Sequence, residues 1–161
     1  MPRIAVEVES TVGSAIGGRA EPVGGKGAGA AGWGGWPVGE GHVLDALDAE
    51  SGSLRALILM CEPALPSVEV AAWPIGVLHL VDGDRDLDEL LCVADERCFA
   101  RVHDLEDLAA RHGEPTEWVN SLARLSCGHH YRIVGCGRRD EADRLLAEGH
   151  HAYLQLTGCL E

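Results

Sequence analysis

The residues VEVAAWPIGVLHLV (68–81), DGDRDLD (82–88) and ELLCVA (89–94) decide the fold of this chain. The first run is apolar and rich in β-branched residues, and its Pro-Ile-Gly centre predicts two strands broken near 74–76. The acidic, glycine-containing run predicts a loop, and the short apolar run after it predicts another buried strand. This stretch therefore predicts a β-sheet whose strands are joined by polar turns.

The rest of the chain places more strands before this stretch and helices after it. Alternating apolar and charged residues at 3–9 predict a half-buried strand, and the apolar run at 54–60 predicts a buried one. Apolar residues then recur at helical spacing over 102–113, 115–125 and 138–156. Strands followed by helices indicate an α+β class, with a sheet or barrel core that carries C-terminal helices.

Composition argues against several classes of partner. The formal net charge is -13 at pH 7, which disfavours nucleic acid and anionic membrane surfaces because both are polyanions. No apolar run approaches the roughly 20 residues of a membrane helix, and the chain opens without a basic and apolar leader, so we expect a cytoplasmic protein. In that compartment we expect the six cysteines to be reduced, buried apolar residues. Nearly all the basic residues are Arg, and Ala and Gly are abundant, which is typical of GC-rich coding sequences such as those of actinomycetes.

The glycine-rich segment 15–35 lies within a run of glycines over 12–41, and this run has two interpretations. It could be a flexible linker, since glycine-rich chains behave as random coils. The other interpretation is an ordered but loose surface segment, because free linkers seldom carry tryptophans such as Trp33 and Trp36. In that case these two side chains are candidates to cover an apolar ligand pocket.

A family resemblance runs through 36–95 without a gap. It lies at turn and apolar positions, namely Trp36-Pro37, Gly41, Leu54, Ala56-Leu57, Glu62-Pro63, Pro66, Pro74-Ile75-Gly76, Asp82 and Leu91-Cys92-Val93. In these positions the chain resembles the central block of the family I soluble inorganic pyrophosphatases. The resemblance implies one domain over 1–161, built on a small OB-like five-stranded β-barrel with C-terminal helices packed on it. It also implies a homo-oligomer, with a hexamer favoured.

The departures from this family fall on its metal ligands. The family holds several Mg²⁺ ions with carboxylates, which activate water and neutralise the diphosphate. At the three Asp positions of the first metal loop the resemblance places Glu50, Gly52 and Arg55. Gly52 has no ligand atom, and Arg55 puts a permanent cation where a divalent metal would bind. We therefore predict no bound metal, no cofactor and no substantial Mg²⁺-dependent hydrolysis of pyrophosphate.

At other functional positions of the family, this chain either keeps the family's residue or carries a different one. The resemblance places Glu9 at a metal-side glutamate and retains Asp82 in the second metal loop. Glu89 stands where the family has a lysine, and Glu40 where it has the turn tyrosine. The remaining phosphate-binding positions become Gly17-Gly18-Arg19 and Ala123-Arg124.

The replaced residues define one candidate pocket. We predict catalytic candidates in a first group, which is Glu9, Glu40, Glu50, Arg55 and Asp82. We predict contacts to a small-molecule substrate in a second group, which is Arg19, Trp33, Trp36, Glu89 and Arg124. Crowded carboxylates and guanidiniums shift pKa values and can supply a general acid and a base. Alternatively they are structural ion pairs that fill the former metal site. In both cases we expect Arg55 within ion-pair reach of Glu50, Asp82 or Glu9.

Three functions remain open from the sequence. The first is a metal-independent acid–base enzyme that acts on a small organic molecule, in bacterial specialised metabolism. The second is a non-catalytic scaffold, sensor or partner subunit. The third is residual hydrolysis of pyrophosphate through Glu9, Glu50, Asp82 and Asp86.

Overall fold

A computed structural model describes residues 3–12, 37–112 and 132–159. In order, these residues form β1 (Ile4–Val12), β2 (Val38–Leu47), β3 (Ser53–Leu59), β4 (Val68–Asp82), β5 (Arg85–Ala94), a 3-10 helix (Arg97–Phe99), α1 (Leu105–His112), β6 (Arg132–Gly137) and α2 (Arg139–Leu156). Several sequence predictions lie outside the described residues: the segment 15–35, the helix at 115–125, and Arg19, Trp33, Trp36 and Arg124.

Five of the strands close into a ring. The order is β1-β2-β3-β5-β4, and β1 also pairs with β4, so the ring has no open edge. All pairs are antiparallel except β3 with β5. Because β4 is 15 residues long, its first half pairs with β1 and its second half pairs with β6. The predicted α+β class with a five-stranded OB-like barrel is confirmed.

The polar loop and the strand break predicted around β4 are wrong. β4 continues through Pro74, and its register with β5 shifts between Pro74 and Gly76. Proline has no N–H to donate, so one hydrogen bond between the strands is missing at Pro74. The register shift lets β4 continue as a strand past this position. The predicted loop at 82–88 is mostly strand, because Asp82 already pairs with Arg85 and leaves a turn of two residues.

The core fills the ring and extends beneath α2. Alternate residues of β1 and β3 point inward and are buried, while β5 is buried along its second half. α2 lies across β2 and β4 through Ala142 and Leu146, both buried. It approaches β2 so closely that a Cβ on Gly149 would lie 2.7 Å from the carbonyl oxygen of Leu47. Neither this helix nor the shorter α1, the α-helices of the described ranges, has the length and apolarity to cross a membrane.

The structure joins Cys61 and Cys98 in a disulfide, with their Cα atoms 6.6 Å apart. β3 and β5 are parallel neighbours, and the two cysteines follow the ends of these strands, so they meet at the same end of the barrel. The expectation of reduced, buried cysteines is wrong for this pair. Cys159 is exposed, so the expectation that it is buried is also wrong. Cys92 is a free and fully buried thiol, as expected.

Candidate functional site

A pocket of about 210 Å³ opens where the β2–β3 and β4–β5 hairpins meet α2. Its lining comes from four strands, one turn and one helix. The lining residues are Glu40 on β2, Asp48, Ala49 and Glu50 in the turn after it, Leu54 and Arg55 on β3, Leu80 on β4, Asp86, Leu87, Asp88 and Glu89 on β5, and Leu145 on α2. Four of the six described site candidates therefore lie together. Glu9 and Asp82 are not among the lining residues.

Arg55 is the centre of the charge network beside this pocket. Its Nη1 donates to Oε2 of Glu9 at 2.7 Å, and its Nη2 lies 3.9 Å from Oε1 of Glu40. Nδ1 of His42 lies 2.9 Å from the other oxygen of Glu9. The hydrogen bond from Arg55 lowers the pKa of Glu9, and partial burial opposes this effect. The expected ion pair between Arg55 and Glu9 is thus present.

A β-bulge places Glu9 within reach of Arg55. Val8 pairs with Gly41 and Ser10 pairs with Glu40, so Glu9 is the extra residue on β1. The strands come so close here that a Cβ on Gly41 would lie 2.0 Å from a main-chain oxygen of β1. Only glycine fits this approach. The bulge therefore turns Glu9 toward Arg55, behind the pocket wall.

Glu89 is a buried carboxyl on the pocket wall. It is 5% exposed, and its Oε1 has no hydrogen-bond partner among the described residues. Burial raises the pKa of Glu89 to about 8, and the charge of Glu40 adds to this, while the charge of Arg55 opposes it. At pH 7 this carboxyl is therefore mostly protonated and can donate a proton.

The turn between β2 and β3 engages two further carboxylates. Glu50 forms an ion pair with Arg85, which projects from the β4–β5 hairpin. Oδ1 of Asp48 accepts the main-chain N–H groups of Glu50 at 2.9 Å and of Gly52 at 2.7 Å. Asp48 thereby fixes the turn, and Glu50 links the two hairpins at the pocket mouth. The sequence did not indicate either role, since Arg85 lies 35 residues from Glu50.

A histidine joins β5 to α2 beside the pocket. Nδ1 of His79 lies 2.7 Å from Asp88, its cross-strand neighbour, and Nε2 lies 3.1 Å from Glu141. Sequence reasoning missed this cluster because its three residues come from separate elements. The sequence feature that could have predicted part of it is that His79 and Asp88 lie the same number of residues before and after the two-residue turn, which makes them cross-strand neighbours.

The pocket residues do not fit a magnesium cluster. Gly52 supplies no side-chain ligand, and the guanidinium of Arg55 lies against Glu9. Among the described residues, only Cys61, Glu96 and Cys98 bring three metal-ligand atoms within 4.8 Å of one another, and there the two sulfurs are bonded. That group lies beyond the other ends of β3 and β5. A Mg²⁺ ion needs several oxygen ligands in near-octahedral geometry, which this pocket does not gather.

Comparisons with known proteins point to one family. A family model described as inorganic pyrophosphatase matches residues 35–154. The chain is 31% identical over 121 residues to an inorganic pyrophosphatase of Nostoc sp., covering 73% of this chain and 70% of that protein. It is 32% identical over 93 residues to one from Synechocystis sp., covering 56% and 54%.

Solved structures agree on the fold. An inorganic pyrophosphatase of Coxiella burnetii superposes with a TM-score of 0.67 at 12% identity, over 94% of this chain and 95% of that one. The enzyme of Thermus thermophilus gives 0.63 at 17% identity, over 94% and 91%. Each is a protein that this chain resembles in fold.

Proposed function

The chain belongs to the inorganic pyrophosphatase family, and from this premise we propose that its pocket has left the family's reaction. The pocket does not hydrolyse pyrophosphate with Mg²⁺. It carries out metal-independent acid–base chemistry on a small organic molecule. Glu89 is the general acid, Glu40 is the carboxylate that accepts a proton, and Arg55 stabilises negative charge that develops on the substrate.

The observation that carries this proposal is a buried carboxyl, Glu89, beside a more exposed one, Glu40, on a single pocket wall. Burial raises the pKa of Glu89 to about 8, whereas Glu40 is more exposed and lies 3.9 Å from Arg55. Titratable groups whose surroundings separate their protonation states supply acid and base assignments. An acid with a pKa near neutrality suits proton transfer at physiological pH. Glu9 holds Arg55 in place from behind and is a positioning residue.

The charge of the lining argues against pyrophosphate as the substrate. Five carboxylates besides Glu89 line the pocket, and Arg55 is the only basic side chain among the lining residues. Without a bridging metal, a diphosphate would meet net repulsion at short range. The replacement of a family lysine by Glu89 and of family aspartates by Gly52 and Arg55 supports the same conclusion.

The first experiment measures phosphate release from pyrophosphate with Mg²⁺ in excess. We expect a turnover far below about 10 per second, which is an ordinary enzyme rate. A turnover near that value would refute the lost reaction, because it would require a functional metal cluster in a pocket whose carboxylates do not converge on one point.

The second experiment seeks the new reaction. The protein is incubated with a bacterial small-molecule extract in the presence of a metal chelator, and mass spectrometry follows which molecules disappear. We expect consumption by the unaltered protein and by Glu62→Gln, an exposed carboxyl at the far end of β3, but not by Glu89→Gln. No consumption by any of them would favour a non-catalytic scaffold or sensor. Consumption only after Mg²⁺ is restored would contradict metal independence.

A further inference from the structure

The pocket combines an apolar floor with an acidic rim. Four leucines line it, from β3, β4, β5 and α2. The acidic side chains around them are Glu40, Asp48, Glu50, Asp86, Asp88 and Glu89. A site of this kind places the apolar body of a ligand in the interior and a polar group of the ligand against the rim.

Three of the six acidic groups of the rim already have partners. Arg85 pairs with Glu50, His79 pairs with Asp88, and the turn amides occupy Asp48. In the part of the chain that the structure describes, Asp86 has no ion pair and Glu40 has only the distant guanidinium of Arg55.

Glu89 adds an independent observation, because its Oε1 is buried without a hydrogen-bond partner. A buried polar atom that is left unpaired is costly, and a ligand that donates a hydrogen bond to it removes the cost. The cation among the lining residues, Arg55, donates to Glu9 at 2.7 Å and forms no hydrogen bond with Oε1 of Glu89. Among the described residues, no positively charged donor therefore pairs with this atom.

We propose that the ligand of this pocket is a small organic cation, an amine or a guanidine on a short apolar chain. Its charged head donates a hydrogen bond to Glu89 and lies near Glu40, while its apolar chain covers the leucines. The volume of about 210 Å³ restricts the ligand to a small molecule. This inference rests on the proposed function only in using the same pocket. It names a ligand that displaces the proton of Glu89, so the bound cation occupies the pocket in place of the substrate to which Glu89 gives its proton.

Binding of such a cation is coupled to loss of a proton. Glu89 holds its proton at neutral pH, and a cation beside it favours the ionised form. With the pKa of Glu89 at about 8, about 1% is ionised at pH 6, about 9% at pH 7 and about half at pH 8. Affinity should therefore rise about ninefold from pH 6 to pH 7. The other titratable or charged groups that face this carboxyl or its neighbours are Glu9, Glu40, His42, Asp48, Glu50, Arg55, His79, Asp86, Asp88 and Glu141.

The test is calorimetric binding of four matched probes, namely butylammonium, butylguanidinium, butanol and butyrate, at pH 6, 7 and 8. We expect the two cations to bind and the alcohol and the carboxylate to bind at least about tenfold more weakly, a difference of about 1.4 kcal/mol. Titrations in buffers of different ionisation enthalpy count the protons released. We expect about 0.9 proton per cation at pH 7 from Glu89.

Glu89→Gln is the matched variant, because its amide has the shape of the protonated carboxyl and keeps every other titratable group. We expect it to remove both the ninefold rise and the proton release, while Glu62→Gln keeps them. Equal binding of butyrate, no cation binding at about 10 mM, or an unchanged pH dependence in Glu89→Gln would each overturn the inference. Cation binding without any turnover in the extract assay would refute the proposed enzyme and leave this inference standing. Turnover of an uncharged molecule without cation binding would support the proposed enzyme and overturn this inference.

Discussion

Replacing Glu89 by glutamine should stabilise the protein at neutral and alkaline pH. Burial raises the pKa of this carboxyl from 4.5 to about 8, a difference of about 3.5. A group whose folded pKa is raised contributes stability below its unfolded pKa and loses that contribution as pH rises through the folded pKa. Between pH 4.5 and pH 8 the unaltered protein therefore loses up to about 4 to 5 kcal/mol of its free energy of unfolding. The Glu89→Gln variant does not have this loss.

The magnitude follows from the burial of the side chain. Glu89 is 5% exposed, so solvent screens its ionisation little. The advantage of Glu89→Gln should grow from about 1 kcal/mol at pH 5 to about 3 kcal/mol at pH 7 and about 4 kcal/mol at pH 8. A constant effect of the amide itself would shift all three values equally and leave the slope intact.

Urea unfolding of both proteins at pH 5, 6, 7 and 8 measures this slope. Glu62→Gln is the control, because its carboxyl is exposed and its removal should not change the pH dependence. Parallel stability profiles for the unaltered protein and Glu89→Gln would show that Glu89 does not hold a proton in the folded state. That result would also remove the general acid from the proposed mechanism.

Three further perturbations test other parts of the structure. The disulfide between Cys61 and Cys98 spans 37 residues, and its reduction should lower the free energy of unfolding by about 3 to 4 kcal/mol. Urea unfolding with and without dithiothreitol measures this difference, and equal stabilities would contradict the pairing. Gly41→Ala should destabilise the fold by about 1 to 3 kcal/mol, because its Cβ would lie 2.0 Å from the carbonyl oxygen of Glu7. Gly135→Ala is its control, since the nearest atom there is 3.7 Å away, and equal melting temperatures for the two variants would contradict the close approach. We also expect a homo-oligomer, with a hexamer favoured, so light scattering that gives 17.1 kDa at micromolar concentration would refute that expectation.

Local sequence patterns predicted two strands with mostly apolar sequences and the long C-terminal helix. The apolar run at 54–60 is β3 at Ser53–Leu59, and the run at 89–94 is the buried half of β5. The helical spacing at 138–156 became α2 at Arg139–Leu156. Side-chain pattern succeeds here because a continuous apolar run or an apolar stripe at helical spacing is a strong local signal.

The same patterns failed where pairing partners decide the structure. Residues 85–88 are polar and were predicted as loop, yet they form strand because β4 offers backbone groups opposite them. β6 at Arg132–Gly137 gave no signal that was recognised, and it is held by pairing with the second half of β4. Hydrogen bonding between distant strands overrides local propensity in such segments.

The candidate site was predictable in composition and not in arrangement. The family resemblance singled out Arg55 and predicted its pairing with Glu50, Asp82 or Glu9, because a cation among carboxylates needs one of them, and the structure pairs it with Glu9. The sequence did not reveal that Arg85 would take Glu50, or that Asp82 would lie at a hairpin end away from the pocket lining. Those outcomes depend on which hairpin tips meet.

The sequence by itself determined β3, the buried half of β5 and α2, together with the acidic charge balance and the family resemblance, which places Gly52 and Arg55 where the family has metal-ligand aspartates. Only the tertiary structure decided which carboxyl keeps its proton. Glu9 and Glu89 are both glutamates on strands, but a bulge turns Glu9 toward a guanidinium while the barrel buries Glu89 at 5% exposure. A pKa depends on desolvation and on charges within a few ångströms, and these distances are set by strands far apart in the chain.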